Sequence, residues 1–270
     1  MTEPQEKLLD ILKWFNSFCE ENNLRYYLIG GTMLGATRHQ GFIPWDDDID
    51  VGMPRDDYNK LAEILSCQTN EKYVLETPET LEKDYYYPFS KIYDTTTTLI
   101  ENTKYKIKRG VYIDLFPIDG IGDSLEESYK NYKEINRLYD LLLTRVTGIR
   151  KGRRFYKNVA TVIMQSIPEC IINNKKILHK LICASQKRKF EDSAFVGNLC
   201  GAWRYKEIMP KELFGKPTKI LFEGIEVYGV EKPEEYLNYL YGDWEKLPPV
   251  EKQISHHDFI LLDLNKSYID

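Results

Sequence analysis

The chain has 270 residues, 42% of them hydrophobic and 29% charged, with a net charge of -5. That balance excludes a disordered tail and a membrane bundle, and the acidic sum argues against a general nucleic-acid binder, whose footprint is an excess of Lys and Arg. Five cysteines without a CxxC pair fit neither a disulfide framework nor a zinc site, and read as buried thiols in a reducing compartment.

The N-terminus, MTEPQEKLLDILKWF, has acids ahead of its apolar residues and no basic region with a cleavage site, so a cytoplasmic protein is expected. Leu8, Leu9, Ile11, Leu12, Phe15, Phe18 and Cys19 fall on one helical stripe, predicting an amphipathic helix over 5–21. RYYLI (25–29) reads as a strand that stops at Gly30-Gly31, followed by a short helix over TMLGATRHQ with Thr32 as its N-cap. After GFIPW comes DDDIDVGM, where alternation at Ile49, Val51 and Met53 suggests a strand with Asp48, Asp50 and Gly52 on its other face, and 55–65 is helical. Between 73 and 116, YVL, YPFSKIY, TTTTLI and VYIDLF are strand-like, predicting a mixed sheet.

From Ser124 to about Phe190 the pattern is helical, interrupted by the basic run RKGRRFYK. The strand-like FEGIEVYGV, a helix opening on Pro233 and a polar tail with PP and HH complete the chain. The expected class is α/β (α+β): a mixed sheet with flanking helices, with a catalytic core over 1–120, a helical insertion over 121–210, and a C-terminal strand, helix and tail over 211–270 that complete the core. No stretch has the ~20 apolar residues of a spanning helix.

The chemistry is concentrated in LIGGTMLGATRHQGFIPWDDDIDVG (28–52). A strand ending in two glycines before a helix start frees backbone N–H groups and lets a phosphate approach the positive end of the helix dipole. Asp48 and Asp50, two apart on a strand, project carboxylates from one face and can share a hard cation, Mg²⁺ or Mn²⁺. A solvated acidic turn is the bland alternative, but four carboxylates within five residues repel one another and strands disfavour Asp. Asp114, in the apolar run GVYIDLFPIDG, needs a buried partner, and the same metal would serve.

Together, GGTMLGATRHQGFIPWDDDIDVG, VYIDLFPIDG and YLNYLYGDWEKLPP closely resemble the LicD family, the bacterial relatives of fukutin and fukutin-related protein. The resemblance implies a nucleotidyltransferase-type fold and transfer of an alcohol phosphate, typically phosphocholine from CDP-choline with release of CMP, onto a sugar of a surface glycan such as teichoic acid or lipopolysaccharide. Carried over by position, the Asp-x-Asp pair is Asp48 and Asp50, the third carboxylate Asp114, and the glycines Gly30 and Gly31. Sixteen residues between Gly31 and Asp48 exceed the spacing usual in wider nucleotidyltransferases, which leaves Asp46 or Asp47 as further ligand candidates. Donor phosphates would rest on Gly30, Gly31 and Thr32, and Asp114 would also take the acceptor proton. True nucleotidyl transfer uses the same residues, and a non-catalytic interaction module is the alternative of another class.

Further candidates for substrate binding are Arg38 after the short helix, Lys91 in FSKIY and the tail pair His256-His257. The aromatics supply material for a cage around a quaternary ammonium, at Tyr85-Tyr86-Tyr87 or at Trp203 with Tyr205, although no spacing singles one out. Arg150, Lys151, Arg153, Arg154 and Lys157 form a basic run in an acidic chain, giving either a solvated loop or a contact with the inner membrane face, where a lipid-linked acceptor is expected.

Overall fold

Helix α1 (Glu3–Glu21) begins ahead of its apolar stripe because Thr2 and Gln5 cap each other. The Gln5 N–H donates to Thr2 Oγ1 (3.4 Å), and the Thr2 N–H donates to Gln5 Oε1 (2.9 Å), satisfying two donors that a helix start otherwise leaves unpaired. In this computed structural model, which describes residues 1–67, 70–79, 85–148, 155–255 and 259–269, the expected stripe is the buried face of α1.

Strand β1 (Tyr27–Leu28) hands over directly to α2 (Gly30–His39), and β2 (Asp50–Pro54) to α3 (Arg55–Ser66). The next strands are β3 (Tyr73–Glu76), β4 (Ser90–Asp94), β5 (Thr98–Glu101), β6 (Lys108–Arg109) and the long β7 (Tyr112–Gly122). Three helices follow, α4 (Leu125–Val146), α5 (Phe155–Ser166) and α6 (Asn174–Ser185), then β8 (Phe195–Gly197), a 3₁₀ turn at Arg204–Glu207 and β9 (Ile208–Pro210). The chain closes with α7 (Lys211–Phe214), β10 (Thr218–Phe222), β11 (Ile225–Gly229), α8 (Pro233–Tyr241) and β12 (Phe259–Asp263).

The main sheet runs β1-β2-β7-β4-β3, with β2 and β7 parallel and its other pairs antiparallel. All of β7 is buried; its first half lies between β2 and β4, and its second half pairs with β8, which pairs with β9. The expected mixed sheet with flanking helices is therefore present. Arg55, at the start of α3, makes a two-pronged buried pair with Asp119 on β7 (2.8 and 2.6 Å), which ties that helix to the central strand.

The buried apolar side chains form two cores. The larger joins α1, β1, β2, the first half of β7, β11 and α8; the smaller joins α4 and α6 to Ile121, Leu199 and Ile208. The helical stretch thus packs on a core of its own. It also returns to the sheet, because β8 and β9 lie within the range expected to be an insertion.

Four local expectations are corrected. Asp48 precedes β2 instead of lying on it. Thr32 is inside the first turn of α2, whose N-cap is Ile29. FEGIEVYGV contributes to a hairpin, β10-β11, turning at Glu223-Gly224, and the polar tail contains a strand, β12, paired with β5.

Candidate active site

The site is built where α2 leaves β1. Gly30 has φ +55°, a backbone region that favours glycine, and a Cβ there would lie 3.3 Å from Asp50 Oδ2. A Cβ on Gly31 would lie 2.9 Å from Asp46 Oδ2, closer than side chains tolerate, so both positions let carboxylates approach the first turn of the helix. The Gly30 N–H donates to the Tyr236 hydroxyl of α8 (3.0 Å). The Asp50 N–H donates to Thr32 Oγ1 (2.8 Å), and the Ile29 N–H donates to the Asp50 carbonyl (3.2 Å), clasping the helix start to β2. Thr32 therefore holds Asp50 through the side chain that was expected to cap.

The parallel register of β2 and β7 sets Asp50 opposite Asp114, and the antiparallel register of β7 and β4 sets Asp114 opposite Lys91. Asp114 and Lys91 are buried, and Lys91 Nζ lies 2.7 Å from Asp114 Oδ1 and 4.0 Å from Glu101 Oε1. The same ammonium sits 3.4 Å from the centroid of the Tyr112 ring and 4.6 Å from that of Tyr87. Lys91, named as a candidate for substrate binding, is thus buried with a carboxylate as its immediate partner.

Burial, with crowded like charges after it, sets the electrostatics. Burial, then Asp48, Asp114, Asp46 and Glu207, raise Asp50 well above the ordinary carboxylate range. Burial pushes Asp114 up to about 6 against the opposing pull of Lys91, with Glu101 and Asp48 adding to the rise. Glu207, in the 3₁₀ turn, is pushed up to about 7 by burial, opposed by a hydrogen bond from the Trp203 N–H (3.2 Å). It is a fourth acid acting on Asp50 that sequence reasoning missed, because nothing in RYKEIM marks that glutamate.

Among the described residues no three His, Cys, Asp or Glu side chains are grouped to hold a metal ion by themselves. The expected shell of Asp48, Asp50 and Asp114 is therefore not a closed protein cage, and Asp114 is committed to Lys91. Arg38 donates to the Trp244 carbonyl (2.7 Å) and to His39 Nε2 (3.0 Å), so its contacts tie the end of α2 to the segment after α8. His256 and His257 lie outside the described residues, but just before them Ser255 Oγ donates to Asp47 Oδ2 (2.7 Å), bringing the tail back to the acidic turn.

Comparison with known proteins matches residues 23–138 to a family described as LicD/FKTN/FKRP, nucleotidyltransferase domain. The chain is 33% identical over 262 residues to the lipopolysaccharide cholinephosphotransferase LicD of Haemophilus influenzae, covering 95% of this chain and 96% of that one. The human ribitol 5-phosphate transferase FKRP is 42% identical over 49 residues, 18% of this chain and 10% of that protein. An uncharacterized protein of Rickettsia prowazekii is 43% identical over 58 residues, 22% of each chain.

Proposed function

The chain belongs to the LicD family, and on that footing we propose that it is a phosphotransferase with a nucleotidyltransferase-type core that moves an alcohol phosphate, phosphocholine from CDP-choline, onto a sugar hydroxyl of a surface glycan such as lipopolysaccharide or teichoic acid. One observation carries the reading: Gly30 and Gly31 are packed against Asp50 and Asp46, and Asp50 faces Asp114 across parallel strands. Such an arrangement brings a helix start for phosphate beside carboxylates for a cation.

The oxygen donors suit Mg²⁺ or Mn²⁺, and the crowding on Asp50 is the charge that a cation relieves. Among the described residues no side-chain cage is closed, and Asp48 and Asp50 are the residues that would hold the ion. A bound ion would supply positive charge against the diphosphate. The first-turn N–H groups of Gly31 and Thr32 receive phosphate oxygens. The acceptor oxygen bonds to the phosphorus that carries the alcohol, the bond from that phosphorus to CMP breaks, and the hydroxyl proton passes to Asp114, which Lys91 holds in place. Catalysis is mainly positioning and charge neutralisation.

We also assign α5 a peripheral contact with an anionic membrane face, where a lipid-linked acceptor is met. Phe155, Tyr156, Val159, Val162 and Ile163 share one stripe of α5 and are all exposed, and Ile171 beyond it is 72% exposed. Exposed Lys157 supplies charge, as do Lys176 and Lys180 on α6. The basic run 150–154 that precedes α5 lies outside the described residues. Among the described residues no helix is long and apolar enough to cross a membrane, so the contact is interfacial.

Incubation with CDP-choline, Mg²⁺ and a glycan acceptor should release CMP. Pyrophosphate released from CTP instead would make the enzyme a nucleotidyltransferase, and no product from either would retire both activities.

A further inference from the structure

The stretch YLNYLYGDW (236–244) forms most of α8 and the turn beyond it, and it grips α2 at both ends. The Tyr236 hydroxyl accepts the Gly30 N–H at the start of α2 (3.0 Å), and the Trp244 carbonyl accepts from Arg38 at its end (2.7 Å). Gly242, at φ +78°, turns the chain off the helix directly after Tyr241; a Cβ there would meet nothing within 4 Å, so the position demands glycine for its conformation alone.

This grip removes one donor from the phosphate cradle and brings another. The first-turn N–H groups of a helix have no partner within it and suit an anion, but that of Gly30 is taken by Tyr236. Beyond its own helix, the atoms nearest to a Cβ on Gly30 would be Asp50 Oδ2 at 3.3 Å and Tyr241 Oη at 3.9 Å. The hydroxyl of Tyr241 thus lies on the open side of the first glycine, beside the acidic edge.

The ring of Tyr241 is fixed and its hydroxyl is not. The ring meets Trp203 edge to face at 5.1 Å and packs against the larger core, and Trp203 is itself anchored by its N–H to Glu207 (3.2 Å). Among the described residues nothing accepts a hydrogen bond from the Tyr241 hydroxyl. Burial, then Tyr236, Glu207, Asp50 and Asp46, hold its pKa well above the usual phenol range, so the group keeps its proton and serves as a neutral donor.

Position along the sheet indicates which phosphate it meets. Because the strand order is β1-β2-β7, Gly30 after β1 and Asp114 on β7 lie on opposite sides of Asp50. An in-line displacement sets the entering and leaving oxygens on opposite sides of phosphorus. With Asp114 beside the entering hydroxyl, the Gly30 side receives the leaving group. We infer that the Tyr241 hydroxyl donates a hydrogen bond to the phosphate that departs with CMP. As the bond from the transferred phosphorus breaks, its electron pair stays on the departing oxygen, and the hydrogen bond strengthens with the charge that gathers there; no proton leaves Tyr241. The assignment rests on the alcohol-phosphate transfer proposed above.

Tyr241→Phe removes the hydroxyl and keeps the ring against Trp203. In calorimetric titrations of the full chain with Mg²⁺ present, the variant should lose about tenfold in affinity for CMP, which carries the full charge of the departed phosphate, while its affinity for phosphocholine and its thermal midpoint hold. With CDP-choline and a glycan acceptor, kcat for CMP release should fall on the order of 10²-fold and KM rise far less, because the donor develops that charge only on cleavage. Mn²⁺ titrated alone should bind variant and wild type equally. Undiminished CMP affinity, or an equal loss of CMP and phosphocholine, would overturn the assignment. Weakened Mn²⁺ binding or a lowered midpoint alongside the losses would also overturn it, by making Tyr241 a support for the ion site or for the fold. A wild type that binds CMP through Tyr241 as expected yet releases none from CDP-choline would retire the transferase reading and leave Tyr241 as a ligand of a nucleotide phosphate.

Discussion

The acidic edge between β2 and β7 and the exposed face of α5 are opposite departures from what stability alone selects. At the first, burial, and after it the like charges of Asp48, Asp114, Asp46 and Glu207, raise the pKa of Asp50. At the second, Phe155 is 82% exposed and Ile163 59%, on a helix whose only buried residue is Thr161. One region hides charge and the other displays apolar surface; each costs stability that a ligand or a surface would return. The two also differ in support. The acidic edge is fixed by strand register and by the Thr32 clasp, whereas α5 rests mainly on α4.

Removing charge from the edge should have the largest effect. Asp50→Asn should lower CMP release on the order of 10³-fold or more, because it removes a charge from the proposed ion site without disturbing the backbone clasp. Its thermal midpoint should hold or rise, since a repelled carboxylate is lost. Normal turnover with a lowered midpoint would make the acidic edge structural and dissolve the contrast with α5.

Asp114 separates stability from catalysis within the same edge. Asp114→Asn should reduce turnover ~10²-fold through loss of the proton acceptor, and should also cost about 3 kcal/mol because Lys91 loses its close partner. Adding Lys91→Met removes the stranded charge. The double variant should recover much of the midpoint and none of the rate. Recovery of both would show that Asp114 serves only to neutralise Lys91.

These partners mark the limit of what the sequence discloses. α1 was legible because its stripe is local and α8 because Pro233 marks its start, and DDDID stood out because four acids in five residues repel one another. The Asp114–Lys91 pair joins residues on separate strands, and only the register of β4 with β7 brings them together. Asp48 was placed on a strand by alternation, but pairing begins at Asp50, where the backbone meets β7. β12 escaped notice because FILLD is short, follows a polar tail and depends on β5 for pairing. The three consecutive tyrosines were visible as possible cage material, whereas Tyr105 and Tyr112 line a cavity with them only through tertiary structure.

The membrane assignment predicts an intermediate effect confined to α5. Phe155→Ser with Ile163→Ser should lower co-sedimentation with anionic phospholipid vesicles about tenfold, because two exposed apolar side chains lose their burial in the interface. CMP release from soluble substrates should be unchanged. Neutral vesicles should bind the wild type less, and added salt should weaken its binding to anionic ones. Wild-type protein that ignores anionic vesicles would leave the α5 face without its proposed occupant.

At Glu207 the expected effect is on stability alone and depends on pH. Glu207 lies in the turn between β8 and β9, after the helical stretch and before the return to the core, and burial pushes it up to about 7 from an ordinary value of 4.5. An acid whose folded pKa is raised is better tolerated neutral, so the folded state binds more protons than the unfolded chain between those two values. Its contribution to stability is therefore fully present below about 4.5 and falls as pH rises through about 7. The loss approaches about 3 kcal/mol once the group is ionised. Glu207→Gln keeps an oxygen for the Trp203 N–H and cannot ionise. Since Asp114 titrates in the same range, the informative quantity is the difference between the two proteins measured across pH. Midpoints should nearly coincide at pH 4.5 and diverge by several degrees at pH 8, with the glutamine variant the more stable. Parallel curves from pH 4.5 to 8 would mean that Glu207 ionises at its ordinary value and places no charge-dependent load on the junction.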